Sequence, residues 1–150
     1  MARPNVLIVT PHPVIGAGLE AVLRLEDLYE LRRAGTLADG LAAVRDWPAD
    51  AVLIDAILAD QPGLALGVPA IVLAGDAERG ERVVAQLAGA QGWLPKDSPP
   101  AALTASLDRA LGIVRVRNDV KGTLGMVVAV VIVLGFLAAL GLFVWRFFLS

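Results

Sequence analysis

Few side chains in this sequence are of a type and in a place to do chemistry, and Asp55 is the first of them. It closes Ala51-Val52-Leu53-Ile54-Asp55, an apolar run ending in a carboxylate. Such a run reads as a strand buried on both faces, central in a parallel sheet. In open α/β sheets, ligands gather at the carboxyl ends of strands, where Asp55 falls. The one histidine, His12, cannot build a histidine metal site alone, and with no nucleophile tied to it a loop or capping role is expected. With no cysteine, disulfides, thiolate metal sites and thiol nucleophiles are excluded. Gly16-Ala17-Gly18-Leu19-Glu20-Ala21 spells a nominal G-x-G-x-x-A dinucleotide fingerprint. It starts well after the preceding strand ends, beyond two prolines, so its first glycine cannot make the tight turn that meets a pyrophosphate. Asp76 reads as a helix cap and Asp97 as a turn residue.

The elements that must position these residues alternate. Strands are predicted over 5–10, 29–34, 51–55, 69–74 and 92–95. Pro11-His12-Pro13 ends the first strand, because proline cannot donate to a ladder. From Val14, the positions Ile15, Leu19, Val22, Leu23 and Leu25 follow helical spacing and are expected to face inward. Thr36 is expected to cap a second helix running to about Val44, and Asp76 one that stops near Gly89. Ser98 before Pro99 and Pro100 is the start signal of a last helix with Leu103, Leu107, Ala110 and Leu111 on one side. Residues 56–68 hold Pro62, Gly63 and Gly67 and leave room for a helical turn or two. Strands alternating with helices imply parallel pairing through right-handed crossovers, hence a flavodoxin-like, doubly wound (βα)5 domain with a shortened third helix.

The chain has 150 residues, a formal net charge of −2 and no basic block, so composition supplies no argument for nucleic-acid binding. The first residues do not read as a signal peptide. Hydrophobic residues make up 57%, and the excess sits near the C-terminus. Residues 122–145 carry no charge at all. At about 1.5 Å per residue they would cover ~36 Å as a helix, against a hydrocarbon core of about 30 Å. A transmembrane helix is therefore expected over 122–146, joined through a linker at 112–121 to a domain at 4–111. Arg109, Arg115, Arg117 and Lys121 precede the span and Arg146 follows it. That bias puts the N-terminal domain in the cytoplasm of a tail-anchored, single-pass protein of the cytoplasmic membrane. Trp145 suits an interfacial anchor, and Gly135 with Ala139 make a small-xxx-small pair through which two such helices would form a homodimer.

Between Asn5 and Leu111 the sequence resembles the receiver domain of bacterial response regulators (CheY-like), most closely the LuxR-type, NarL-like branch. The resemblance rests on Ile8-Val9-Thr10-Pro11-His12-Pro13 with Gly18-Leu19, on Asp55, and on Gly89-Ala90-Gln91-Gly92-Trp93-Leu94-Pro95-Lys96-Asp97-Ser98-Pro99. It implies a signal-transduction role in two-component or phosphorelay systems. Asp55 takes the phosphoacceptor position, Lys96 that of the pocket lysine, and Trp93 that of an aromatic switch residue. The departures are as informative. Thr10 and Pro11 stand where the family carries the acidic pair that binds Mg2+ with the phosphoacceptor. Ala74 stands where it carries a Thr or Ser that holds the phosphoryl group. A hard cation wants several oxygen ligands, and one carboxylate is a poor site.

Physically, a carboxylate and an ammonium in a half-buried pocket favour each other's charged forms, so Asp55 and Lys96 are expected to pair. Without the hydroxyl at Ala74, Trp93 is expected to pack and not to switch. The resulting expectation is a degenerate receiver: no enzyme, no cofactor, no nucleic acid. It would act through protein partners such as a sensor kinase, by way of the surface spanning Ala77–Leu111. Two rivals stand beside it. One is a receiver still phosphorylated on Asp55, which would need Mg2+. The other is a small membrane-anchored nucleotide-binding α/β enzyme, which the missing P-loop disfavours.

Overall fold

The computed structural model describes residues 3–113 and the pair 134–135. Residues Met1–Val114 make one compact unit. Its elements are β1 (Asn5–Val9), α1 (Pro13–Glu26), β2 (Glu30–Ala34), α2 (Leu37–Asp46), β3 (Ala51–Asp55), α3 (Ala56–Ala59), β4 (Ala65–Ala74), α4 (Ala77–Gln86), β5 (Ala88–Pro95) and α5 (Pro100–Leu111). The five strands form one parallel sheet in the order β2-β1-β3-β4-β5, the flavodoxin-like winding that the alternation of elements predicts. The transmembrane helix expected at 122–146, with Gly135–Ala139 and Trp145, lies outside the described residues apart from Leu134 and Gly135. Among the described residues no helix is long and apolar enough to cross a membrane.

Alternation along the central strands sorts side chains into two cores. Leu7, Val9, Val52, Ile54, Val72 and Ala74 face the side covered by α2, α3 and α4. Val6, Ile8, Ala51, Leu53, Ile71 and Leu73 face the side covered by α1 and α5, with Leu19, Leu23, Leu103 and Leu107 opposite. All five residues of β3 are buried, as expected of a central parallel strand. Two helix starts are set locally. The Thr36 hydroxyl accepts from the Asp39 N–H at 3.1 Å, and the Asp76 carboxylate from the Arg79 N–H at 2.8 Å.

Several sequence expectations need correction. β4 begins at Ala65 and not Pro69, and β5 at Ala88 and not Gly92, so α4 ends at Gln86. The extra length comes from a ladder irregularity: Ala65 pairs with Ala88, and the next pair is Ala70 with Ala90. In that irregularity residues 66–69 of β4 stand against the single Gly89 of β5. Gly67 (φ 78°) and Gly89 (φ 85°) supply the left-handed backbone it requires. Leu25 is 86% exposed, because at 3.6 residues per turn it falls on the side of α1 opposite Leu19 and Leu23. The Ser98 hydroxyl donates to the Pro95 carbonyl at 2.7 Å and does not cap α5, whose N-cap is Pro99.

The third helix is a single turn, and side chains from the following segment fill its place. Leu58 and Leu64 pack on the core beside the buried Leu66. The Asp60 carboxylate then ties the end of α3 to α4, taking Arg82 Nη2 at 2.8 Å and Gln86 Nε2 at 2.6 Å. The hydrogen bond from Arg82, followed by that from Gln86, holds the Asp60 carboxyl below the usual carboxylate range.

Candidate functional site

Parallel pairing brings the carboxyl ends of four strands to one edge. Val9 sits beside Ile54, Asp55 beside Leu73, and Ala74 beside Pro95. Thr10 leaves β1 with its N–H on the Ala34 carbonyl at 3.1 Å, and Lys96 leaves β5 with its N–H on the Ala74 carbonyl at 3.2 Å. These backbone bonds aim both side chains at the end of β3.

There Asp55 is buried, with 1% of its surface exposed. Lys96 Nζ lies 3.1 Å from Oδ2, and the Thr10 hydroxyl donates to the same oxygen at 3.2 Å. The other oxygen, Oδ1, accepts from the Ile57 N–H at 3.1 Å, so Asp55 is also the N-cap of α3. Burial of an ionised carboxylate is tolerable only with such partners, and this one has three. The charge-assisted contact to Lys96 is the strongest of them.

His12 approaches from the loop after β1. Its Nε2 is 4.0 Å from Asp55 Oδ2, and its backbone N–H donates to Thr10 Oγ1 at 3.3 Å. It holds the N-cap position of α1, yet its side chain makes no capping bond there. The capping role expected from sequence is thus held by its backbone alone, and the half-exposed ring is a fourth member of the Asp55 cluster. Its place just past a strand's carboxyl end was the signal in the sequence. Pro11 is exposed at the rim.

Ala74 is fully buried and offers the pocket only a methyl group. Trp93 packs with the core on the α4 side. Gly80 of α4 rests against its indole: a Cβ built on Gly80 would lie 2.7 Å from Trp93 Cε3 and Cγ, and closer still to Cδ2. Nothing local in the sequence marks that contact. The G-x-G-x-x-A segment lies within α1, and Gly16 there abuts the Thr10 methyl group at 3.1 Å. The nucleotide-binding expectation therefore gains no strand-to-helix turn to stand on.

Mg2+ fits this donor set badly. Asp55 is the carboxylate of this set, Thr10 is a neutral hydroxyl already donating to Asp55, and an ammonium stands 3.1 Å from Oδ2. Among the described residues no three His, Cys, Asp or Glu side chains are grouped so as to hold a metal ion. A hard cation asks for several anionic or neutral oxygens.

No family model matches the chain, and no curated protein matches it. Solved structures do. A CheY-like response regulator receiver domain protein from Methanospirillum hungatei JF-1 is 24% identical, covers 74% of this chain and 95% of its own, and superposes with a TM-score of 0.61. The signal receiver domain of an HD domain-containing protein from Pseudomonas fluorescens Pf-5 is also 24% identical, over 73% of this chain and 95% of its own, with a TM-score of 0.62. The chemotaxis response regulator CheY4 of Vibrio cholerae is 22% identical over 73% of this chain and all of its own, with a TM-score of 0.56. The fold that carries Asp55, Thr10 and Lys96 to one edge is that of response-regulator receiver domains.

Proposed function

We propose that this protein is a degenerate receiver that signals by protein–protein contact from a membrane anchor, with no catalysis and no DNA binding. The observation that carries the reading is the state of Asp55. Both of its oxygens are engaged by Lys96, Thr10 and the Ile57 N–H, and among the described residues no group of three His, Cys, Asp or Glu side chains is placed to hold a metal ion. Phosphoryl transfer to an aspartate develops negative charge that needs electrostatic stabilisation. One lysine stands here where the family also places a metal. Asp55–Lys96 is accordingly a structural pair. Partners are other signalling proteins, a sensor kinase among them, met through the surface spanning Ala77–Leu111. The uncharged segment at 122–145 supports the anchor, and a tether raises the local concentration of the domain toward membrane-bound partners.

Two experiments test the reading. Incubation with a small-molecule phosphodonor and Mg2+ should leave the chain unmodified by intact mass. An acid-stable, base-labile phosphate that depends on Mg2+ and vanishes in Asp55→Asn would return Asp55 to phosphoacceptor duty. Expressed full-length in a bacterium, the chain should sediment with membranes, resist a carbonate wash and dissolve in detergent. Recovery in the detergent-free supernatant would remove the anchor.

A further inference from the structure

The two edges of the sheet differ in charge. β2 exposes Glu30, Arg32 and Arg33, side chains of the kind that keep an edge from pairing with another chain. β5 stands at the opposite edge and has no charged residue from Ala88 to Pro95. Its ladder irregularity lies before Gly92, and Pro95 comes at its end, so residues 92–94 run in regular register with 71–73. A Cβ built on Gly92 would meet nothing within 4 Å, which leaves the backbone there open to a neighbour. On any edge strand, alternate residues turn their N–H and C=O groups away from the sheet, where a further strand can bond them.

Beside this edge a cleft of about 270 Å³ runs between β5 and α5, with Ile71 and Leu94 on the sheet side and Ala102, Ala105 and Ser106 on the helix. Small-molecule sites enclose roughly 300–1,000 Å³, so this one suits a side chain better than a cofactor. Strand addition uses such a place: main-chain bonds carry the affinity, and a pocket along the edge takes alternate side chains. Arg109, which also lines the cleft, says what the strand must carry. It is exposed and joins none of the ion pairs among the described residues. The carboxylate next to it in sequence, Asp108, accepts from the Tyr29 hydroxyl at 2.7 Å. A second copy of β5 would bring no acid and leave that cation unmatched. We infer that the edge of β5 and the cleft beside it take an extended peptide segment of a partner protein, added to the sheet as a further strand. It sets an apolar side chain in the cleft and a carboxylate on Arg109. The inference rests on the reading that partners meet the surface spanning Ala77–Leu111, and gives the form and charge of what meets it.

The full-length chain, kept in detergent and held by an N-terminal tag, is panned against phage-displayed random dodecapeptides. Enriched peptides should share one Asp or Glu among alternating β-branched or aromatic residues. A synthetic peptide of that consensus is then titrated against variants, each first checked for native circular dichroism. Ala105→Trp, filling the cleft from the exposed side of α5, should abolish binding. Arg109→Ala should weaken it about fivefold, and Arg45→Ala, exposed on α2, should leave it unchanged. N-methylation of the peptide backbone at one alternate set of positions should cost about tenfold or more, and at the other set nothing, because every second N–H of an added strand faces the sheet. No enrichment, a helical consensus, or binding indifferent to the register of N-methylation or to Ala105→Trp would overturn the inference. Binding lost in Glu81→Lys of α4 and kept in Ala105→Trp would overturn it too, while leaving the wider surface reading in place.

Discussion

Lys96→Met should destabilise the folded domain by about 2–3 kcal/mol at neutral pH, the largest loss expected from a single change at the site. Removing one member of a buried ion pair costs about 3–5 kcal/mol, because the remaining charge is left uncompensated. The Lys96 side chain is 27% exposed, so water reaches the pocket and lowers the figure. Thr10 and the Ile57 N–H still serve Asp55, which lowers it further. The partner change, Asp55→Asn, should cost less. An amide oxygen can still accept from Ile57, and Lys96 can turn toward solvent. In the double variant the loss should fall back near that of Asp55→Asn alone, because no buried charge remains to be orphaned. Urea unfolding of the four proteins gives the cycle directly. Additive losses would mean that Lys96 and Asp55 do not depend on each other, and the static pair would then fail as an account of the pocket.

Gly80→Ala should destabilise the domain by about 1–3 kcal/mol, although alanine is the better helix former by roughly 1 kcal/mol. The added methyl would meet Trp93 Cε3 and Cγ at 2.7 Å, with Cδ2 nearer still. A rigid ring cannot yield as the tip of a flexible chain would, so either the indole turns outward or α4 lifts. α4 is held from its other side by Asp60 through Arg82 and Gln86, and the indole should therefore move first. Fluorescence should shift to the red, read as the difference from a Trp93→Phe background so that Trp47 and Trp145 cancel. Gly80→Ala with Trp93→Leu should recover most of the lost stability. Gly18→Ala, where a Cβ meets nothing within 4 Å, is the matched control and should be neutral or mildly stabilising. An unchanged spectrum in Gly80→Ala would show that Trp93 is not pinned beneath α4.

The two expectations bear on the same question from opposite ends of the pocket. Asp55 is held by charge and hydrogen bonds, and Trp93 by shape. Between them stands Ala74, buried and without a polar atom in its side chain to link one to the other. That lack of a polar link is why the proposed role falls on surfaces and not on a phosphorylation switch.

What the amino-acid order settled by itself is local or periodic. The apolar run Ala51–Ile54 read as a central parallel strand, and Thr36 and Asp76 could open helices from their own side chains. The proline and glycines at 62, 63 and 67 left no room for a full third helix. The alternation of elements then gave the sheet, and the sheet's carboxyl edge gave Asp55 its place. The rest needed distant segments to meet. Whether β4 and β5 lengthen depends on a shared irregularity near Gly67 and Gly89, which neither strand encodes alone. His12 joins Asp55, and Gly80 meets Trp93, only because crossovers set loop beside strand and helix beside strand. Leu25 turned outward because the phase of α1 is set by which of its sides the sheet buries, and an apolar residue on the opposite side is of the same type in sequence. Periodicity and capping act over a few residues, so one segment suffices to reveal them. Packing is pairwise across the chain, and only the folded structure names both members of each pair.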